Sequence, residues 1–117
     1  MPLEHFDWDI QGVSIVHLQG PITLGEDTRR LRELIQKALD EGKRKIVFNM
    51  ADVPYMDSSG LGELIAAHTT AKAKGGRLKL MKLSPRVQDL VTLTKVHRVF
   101  EVFPDEESAV RSFEKES

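Results

Sequence analysis

Residues 46–83 read IVFNMADVPYMDSSGLGELIAAHTTAKAKGGRLKLMKL, and the fold is decided within this stretch. Ile46-Val47-Phe48 is a continuous apolar run behind Lys43-Arg44-Lys45. Such a run reads as a strand covered on both faces, as in a parallel sheet. Residues 52–57 read as a loop, in which Pro54 has no N–H for a ladder. A helix is predicted from about Ser58 to Lys74, with Leu61, Leu64, Ile65 and His68 on one stripe. Gly75-Gly76 closes it, and Leu78 to Leu83 forms the next strand. Strand, helix, strand in this order is a parallel βαβ unit.

The same pattern continues on both sides. Upstream, Phe6, Trp8 and Ile10 alternate with Asp7 and Asp9, a strand with one wet face. Gln11-Gly12 makes a short turn into a second strand, Val13 to Leu18, so the two form a hairpin. Gly20-Pro21 ends it. Leu31, Leu34, Ile35, Ala38 and Leu39 fall on one helical stripe. Glu26 and Asp27 suit the start of that helix, Thr23 has capping-box spacing to Glu26, and Gly42 is a C-terminal stop. Downstream, Ser84-Pro85 is an N-cap with proline at the first helical position, before a short helix carrying Val87, Leu90, Val91 and Thr94. Val99 to Phe103 is a fifth strand. Pro104-Asp105 opens a last helix that buries Ala109, Val110 and Phe113. The expected fold is α/β: a mixed, mostly parallel five-stranded sheet with an N-terminal hairpin and about four helices, a single domain over residues 1–117.

With 40% apolar and 30% charged residues, the composition is that of a globular chain able to bury a core without staples. The absence of cysteine excludes a disulfide scaffold, a cysteine nucleophile and a thiolate metal site. It agrees with a reducing, cytoplasmic setting. No apolar run is long enough to insert in a membrane, and the first residues lack the pattern of a signal peptide. The net charge is −1, against the basic excess of most nucleic-acid-binding domains. The charge is nevertheless uneven. Residues 72–98 hold eight basic residues (Lys72, Lys74, Arg77, Lys79, Lys82, Arg86, Lys95 and Arg98) against Asp89, and residues 99–117 hold six acids against Arg111 and Lys115. Two solvated faces of opposite sign explain this, and a basic docking surface is the sharper alternative. No aromatic residue is interleaved with the bases before Phe100, which argues against direct nucleic-acid binding.

The chemistry gathers at Met56-Asp57-Ser58-Ser59-Gly60-Leu61-Gly62-Glu63. Two glycines in a first helical turn each cost up to about 1 kcal/mol relative to alanine. They also let another surface approach the backbone. Ser58 and Ser59 place hydroxyls at the positive end of a helix dipole, where a phosphate is well accommodated. An ordinary Asp/Ser cap with glycines fitting a tight strand-to-helix turn is the plain alternative. Enzymatic readings fit less well. A nucleophile elbow needs glycine two residues before the serine, where Met56 and Asp57 stand. The third glycine of a dinucleotide loop and the Gly-Lys-Ser/Thr of a P-loop are both missing. His5, His17, His68 and His97 lack ligand spacing, so no metal or cofactor is expected. His68, on the apolar stripe, reads as a half-buried structural side chain, and Trp8 and Tyr55 as packing residues.

Residues 56–62 resemble the signature of the STAS domain family, specifically of the bacterial anti-sigma-factor antagonists. The likeness extends from about residue 4 to 113. It takes in Ile46 to Met50, Asp52, the Tyr55-Met56-Asp57 approach, Gly75-Gly76, Ser84-Pro85 and Val99 to Phe103. It implies a (βα) superhelix whose helices pack mainly on one face of the sheet. It further implies a substrate rather than an enzyme. Ser58 would be phosphorylated by a serine kinase that doubles as an anti-sigma factor. The unphosphorylated chain would bind that kinase and free a sigma factor, and a PP2C-type phosphatase would reset the switch. Asp57 would position the hydroxyl and add charge, and Ser59 would cap the helix. Gly60 and Gly62 would allow close approach, Leu61 would pack at or beneath the contact, and Asp52 and Glu63 would deepen a negative spot. The chain departs from the family at Gly20-Pro21-Ile22-Thr23, where members often carry an acid. Thr23 brings a hydroxyl without charge to the loop expected beside Ser58, and Pro21 stiffens that loop.

Two other readings stay open: a STAS interaction module that is never phosphorylated, in a larger signalling or transport assembly, and a receiver-like domain phosphorylated on Asp52 or Asp57. The latter lacks paired acids after its first strand, where Gln19-Gly20-Pro21 stands. A monomer or a weak homodimer, associating through the hairpin edge, is expected.

Overall fold

A computed structural model describes residues 3–116; Met1, Pro2 and Ser117 lie outside the described residues, as do the side chains of Lys115 and Glu116. Five strands form one sheet in the order β1-β2-β3-β4-β5. They are β1 (Glu4–Ile10), β2 (Val13–Gln19), β3 (Lys45–Asp52), β4 (Arg77–Met81) and β5 (Val102–Phe103). The helices are α1 (Glu26–Asp40), α2 (Ser58–Ala73), α3 (Pro85–Leu93) and α4 (Glu106–Ser112). β1 and β2 pair antiparallel, and every later pairing is parallel. This is the mixed sheet with an N-terminal hairpin that the sequence predicts.

Local chemistry sets the element boundaries. Gln11 (φ 51°) and Gly12 (φ 82°) both take left-handed backbone, the type I′ turn that matches strand twist in a two-residue hairpin. At the end of α1, Gly42 (φ 85°) takes the left-handed position. Its N–H donates to the Leu39 carbonyl at 3.0 Å, and that of Lys43 to the Ala38 carbonyl at 3.0 Å. These two bonds make a Schellman motif, which satisfies carbonyls the helix leaves open. Ser84 and Pro85 open α3 as predicted, although the Ser84 hydroxyl donates to the Val53 carbonyl (2.8 Å) rather than capping.

Two predicted boundaries are corrected. Thr23 does not cap α1: the N-cap is Gly25, whose N–H donates to the Thr28 hydroxyl at 3.1 Å. Thr23 instead donates its N–H and its hydroxyl to Asp27, which also accepts from the Leu3 N–H. The fifth strand holds Val102–Phe103 rather than Val99 to Phe103. Lys95 (φ 63°) stops α3, and Val96–Arg98 form a 3-10 turn. That turn directs Phe100 into the core, 3% exposed, with its ring edge-on to His68 at 5.0 Å.

Two layers of apolar side chains hold the sheet. On one face α1, α2 and α3 pack Leu31, Ile35, Leu64, Ala67, Val87 and Val91 over Leu18, Ile46, Phe48 and Leu80. On the other, α4 packs Ala109, Val110 and Phe113 over Val13, Ile15, Val47 and Met81. Lys79 lies in this second layer and not on a solvated basic face. It is 2% exposed, with its ammonium 3.0 Å from Glu101, 2.8 Å from the Ser112 hydroxyl and 4.1 Å from the Phe113 ring centroid.

Candidate functional site

The first turn of α2 is held against the loop between β2 and α1. Beyond the sheet the two chains keep running side by side: Ile22 and Met56 form an isolated parallel bridge. The Gly20 N–H donates to the Asp52 carbonyl (3.0 Å), the Ile22 N–H to the Tyr55 carbonyl (3.2 Å) and the Asp57 N–H to the Ile22 carbonyl (3.3 Å). The loop expected beside Ser58 is therefore there, and main-chain bonds fix it.

Asp57 joins the two segments. One carboxylate oxygen accepts from the Gly60 N–H at 2.8 Å and the other from the Leu24 N–H at 3.0 Å. The N–H of Gly60, then that of Leu24, hold its pKa below the usual carboxylate value. Asp57, not Ser59, is the N-cap. Its oxygens are committed to main-chain N–H groups, so its part in the site is to anchor the helix start and supply a fixed negative charge. Ser58 and Ser59 become the first two helical residues. Ser58 is exposed and Ser59 half-buried, so Ser58 is the more accessible of the pair.

The two glycines separate in role. Gly60 is buried, and a Cβ there would run into the Ile22 carbonyl oxygen. The close approach predicted at Gly60 is made by the protein's own loop, not by an external surface. Gly62 is exposed, and a Cβ there would meet nothing within 4 Å. The fold gives Gly62 no steric reason to be glycine. Leu61 is 5% exposed and packs beneath the surface, in the main core.

Two of the acids expected to deepen the negative spot, Glu63 and Asp52, have side-chain partners. Arg32, reaching across from α1, holds Glu63 at 2.7 Å. Asp52 lies 2.7 Å from His17 Nε2. Asp57 remains as the carboxylate beside Ser58. Thr23 is half-buried with its hydroxyl donated to Asp27 (2.9 Å), and Pro21 is half-buried in the same loop. Three features went unread in the sequence: Arg32 on Glu63, the 74% exposure of Leu24, and the Arg86 guanidinium stacked 4.9 Å from the Tyr55 ring centroid. Leu24 offered a signal, an apolar residue in a loop just before the Gly25-Glu26 helix start. Arg32 and Arg86 offered none, because each meets its partner only in the tertiary structure. A cleft of about 240 Å³ lies between the hairpin and α1, lined by Ser14, Leu34, Lys37 and Lys43 among others, and includes none of residues 57–63. Among the described residues, no group of three or more His, Asp or Glu side chains could hold a metal, and no helix is long and apolar enough to cross a membrane.

A mixed sheet of this order, with a serine-bearing helix start fastened to the loop after β2, is the architecture of a STAS domain. The chain belongs to the STAS domain family, whose model matches residues 9–109. It is 32% identical over 81 residues to the anti-sigma-B factor antagonist of Bacillus subtilis, covering 69% of this chain and 73% of that one. It is 24% identical over 109 residues to the anti-sigma F factor antagonist of Paenibacillus polymyxa, covering 89% of each. In structure it is similar to an anti-sigma factor antagonist from Mycobacterium paratuberculosis, with a TM-score of 0.82 at 21% identity over 94% of this chain and 92% of that one.

Proposed function

We propose that this protein is an anti-sigma-factor antagonist controlled by phosphorylation of Ser58, and acts as a substrate and binding partner rather than as an enzyme. The observation that carries the reading is the division of labour in the first turn of α2. Asp57 caps, Gly60 locks the turn to the Ile22 carbonyl, Leu61 anchors it in the core, and Ser58 and Gly62 face outward. A rigid helix start thus presents one hydroxyl beside one bare stretch of backbone. The exposed glycine costs helix stability with no internal return, as a surface reserved for close contact would.

In this reading the unphosphorylated chain binds an anti-sigma factor that is also its serine kinase, and so frees a sigma factor in the cytoplasm. The contact surface is Ser58, Gly62 and the half-buried Ser59, with Pro21 and Thr23 on the adjoining loop and Glu63 flanking it under Arg32. Phosphorylation adds about −1.5 to −2 charges at pH 7. Placed beside ionised Asp57, the phosphate opposes a partner that fits tightly over Gly62, and no change of fold is needed. A PP2C-type phosphatase restores the binding form. The Bacillus subtilis and Paenibacillus polymyxa relatives support the antagonist role by their names.

Titration calorimetry of this chain against the ATP-binding anti-sigma factor of its own host tests the reading. Ser58→Ala binds as the wild type does. The Ser58-phosphorylated chain binds 30- to 150-fold more weakly, a change of roughly 2–3 kcal/mol. Equal affinity of the phosphorylated and unphosphorylated chains would contradict the switch and leave a constitutive interaction module.

A further inference from the structure

β1 is the outermost strand of the sheet, and among the described residues no strand pairs with its outer edge. Its two-residue turn makes Ile10 and Val13 the hydrogen-bonded pair that closes the hairpin. Counting back by twos, the main-chain groups of Trp8, Phe6 and Glu4 also turn toward β2, on Ile15, His17 and Gln19. Those of His5, Asp7 and Asp9 turn outward. Natural sheets blunt such edges with proline, a bulge, a very short strand or charged side chains, and of these β1 has only charges, at Glu4, Asp7 and Asp9. β5, the opposite edge, has two residues. β1 has seven in unbroken register and no proline. It also carries an exposed aromatic ring: Phe6 is 48% exposed, stacked on the half-buried Trp8 at 5.5 Å and on the half-buried His17 of β2 at 4.7 Å.

We infer that β1 pairs antiparallel with β1 of a second copy of this chain, about a two-fold axis at Asp7. Three arguments select this partner and register. Among antiparallel registers it alone pairs all seven residues of the strand. It sets outward-facing main chain against outward-facing main chain at His5, Asp7 and Asp9, whereas a slip by one residue would not. It also matches side chains: Phe6 faces Trp8 twice, a favourable aromatic cross-strand pair, and His5 faces Asp9 twice, a ring N–H donor opposite a carboxylate acceptor. At the axis Asp7 faces Asp7, but each carboxylate already lies 3.2 Å from its own Lys43 ammonium. The centre is thus a four-charge cluster with no net charge. Sliding two residues one way sets Asp7 against Asp9; sliding two the other way leaves two residues of each strand unpaired. The contact is isologous and closes at two copies. None of the residues of the serine site lies on β1, so this pairing stands apart from the Ser58 switch.

The chain lacks cysteine, which permits a register test by single-cysteine cross-linking of the full-length protein. In the proposed dimer the Cα atoms at position 7 lie about 5.5 Å apart, within disulfide reach, whereas two copies of position 5, or of position 9, lie about 14 Å apart. Asp7→Cys therefore forms a disulfide dimer on mild oxidation. His5→Cys and Asp9→Cys do not do so singly, but a mixture of the two gives a heterodisulfide. In sedimentation velocity the wild type rises with concentration from 13.2 kDa toward twice that mass. Asp7→Pro, whose missing N–H faces outward and is tolerated on an edge, stays at 13.2 kDa with an unchanged circular dichroism spectrum. A wild-type chain that stays monomeric at millimolar concentration would overturn the inference. So would a folded Asp7→Pro that dimerises as the wild type does, or cross-linking strongest at position 5 or 9.

Discussion

An alanine at position 60 pushes its Cβ into the Ile22 carbonyl oxygen, and an alanine at position 62 meets nothing within 4 Å. Both substitutions gain helix propensity, at most about 1 kcal/mol. Only the first pays a collision, and its partner is backbone, which cannot rotate away. Gly60→Ala is therefore expected to lower stability by about 2 kcal/mol net, because displacing packed backbone costs more than the propensity gain. Gly62→Ala is expected to raise stability by about 0.5–1 kcal/mol while weakening the anti-sigma partner severalfold. Urea denaturation and the partner titration measure the two effects side by side. A Gly62→Ala protein that binds as tightly as wild type would remove Gly62 from the contact surface. The sequence marks both glycines as costly in a helix. It cannot say which one faces inward, because the carbonyl that decides the matter belongs to Ile22, on a different segment.

At the scale of the element, α2 depends on the carboxylate at its start. The folded-state pKa of Asp57 is lowered by the N–H groups it accepts from. Its contribution is thus complete above the unfolded value of ~3.9 and disappears as the pH falls through the lower folded value. Asp57→Asn keeps a capping side chain without that charge, so the stability difference from wild type shrinks on acidification. Urea midpoints at about pH 6 and about pH 2 check this, and an equal difference at both would contradict it. Farther along α2, burial first, then the positive charges of Lys72 and Arg77, lower the pKa of His68. The unfolded chain therefore takes up that proton first as the pH falls below ~6.5, and stability declines. His68→Gln should flatten the decline between about pH 7 and pH 5, as followed by thermal melts. The element order was readable from periodicity and from glycine stops. Thr23 and Ser59 were read as caps one or two residues away, because spacing alone does not rank them against their neighbours, although an aspartate cap at the start of α2 was among the alternatives. The structure chose Asp57 because it satisfies Leu24 as well as Gly60, and turned Thr23 toward Asp27, which also holds Leu3. β5 was read too long because Phe100 fits a strand pattern equally well, yet packs against His68 from a turn.

In the whole molecule, one sheet separates a large core under three helices from a small one under α4, and the small one contains a cation. Glu101, an acid paired with Lys79, keeps 58% of its side chain in solvent, so removing the lysine does not leave Glu101 as a buried anion. Lys79→Met, which keeps the volume, is expected to match or exceed wild-type stability, as apolar replacements of buried ion pairs often do. Lys79→Ala, which leaves a cavity beside Phe113, loses about 2 kcal/mol. Calorimetric melts of the two variants separate charge from volume. The large core, by contrast, keeps the serine turn rigid: Leu61 and Leu64 anchor α2 while Ile22 and Met56 anchor the two loops. On that frame the proposed switch reduces to the chemical state of one hydroxyl. The most direct measurement is peptide mass spectrometry of the protein isolated from its own host in growth and under starvation, with Ser58→Ala in parallel. The account predicts a single phosphate on the peptide carrying Ser58, present in one condition, depleted in the other and absent from the variant. An unmodified Ser58 in both conditions, or a phosphate that persists in Ser58→Ala, would contradict it.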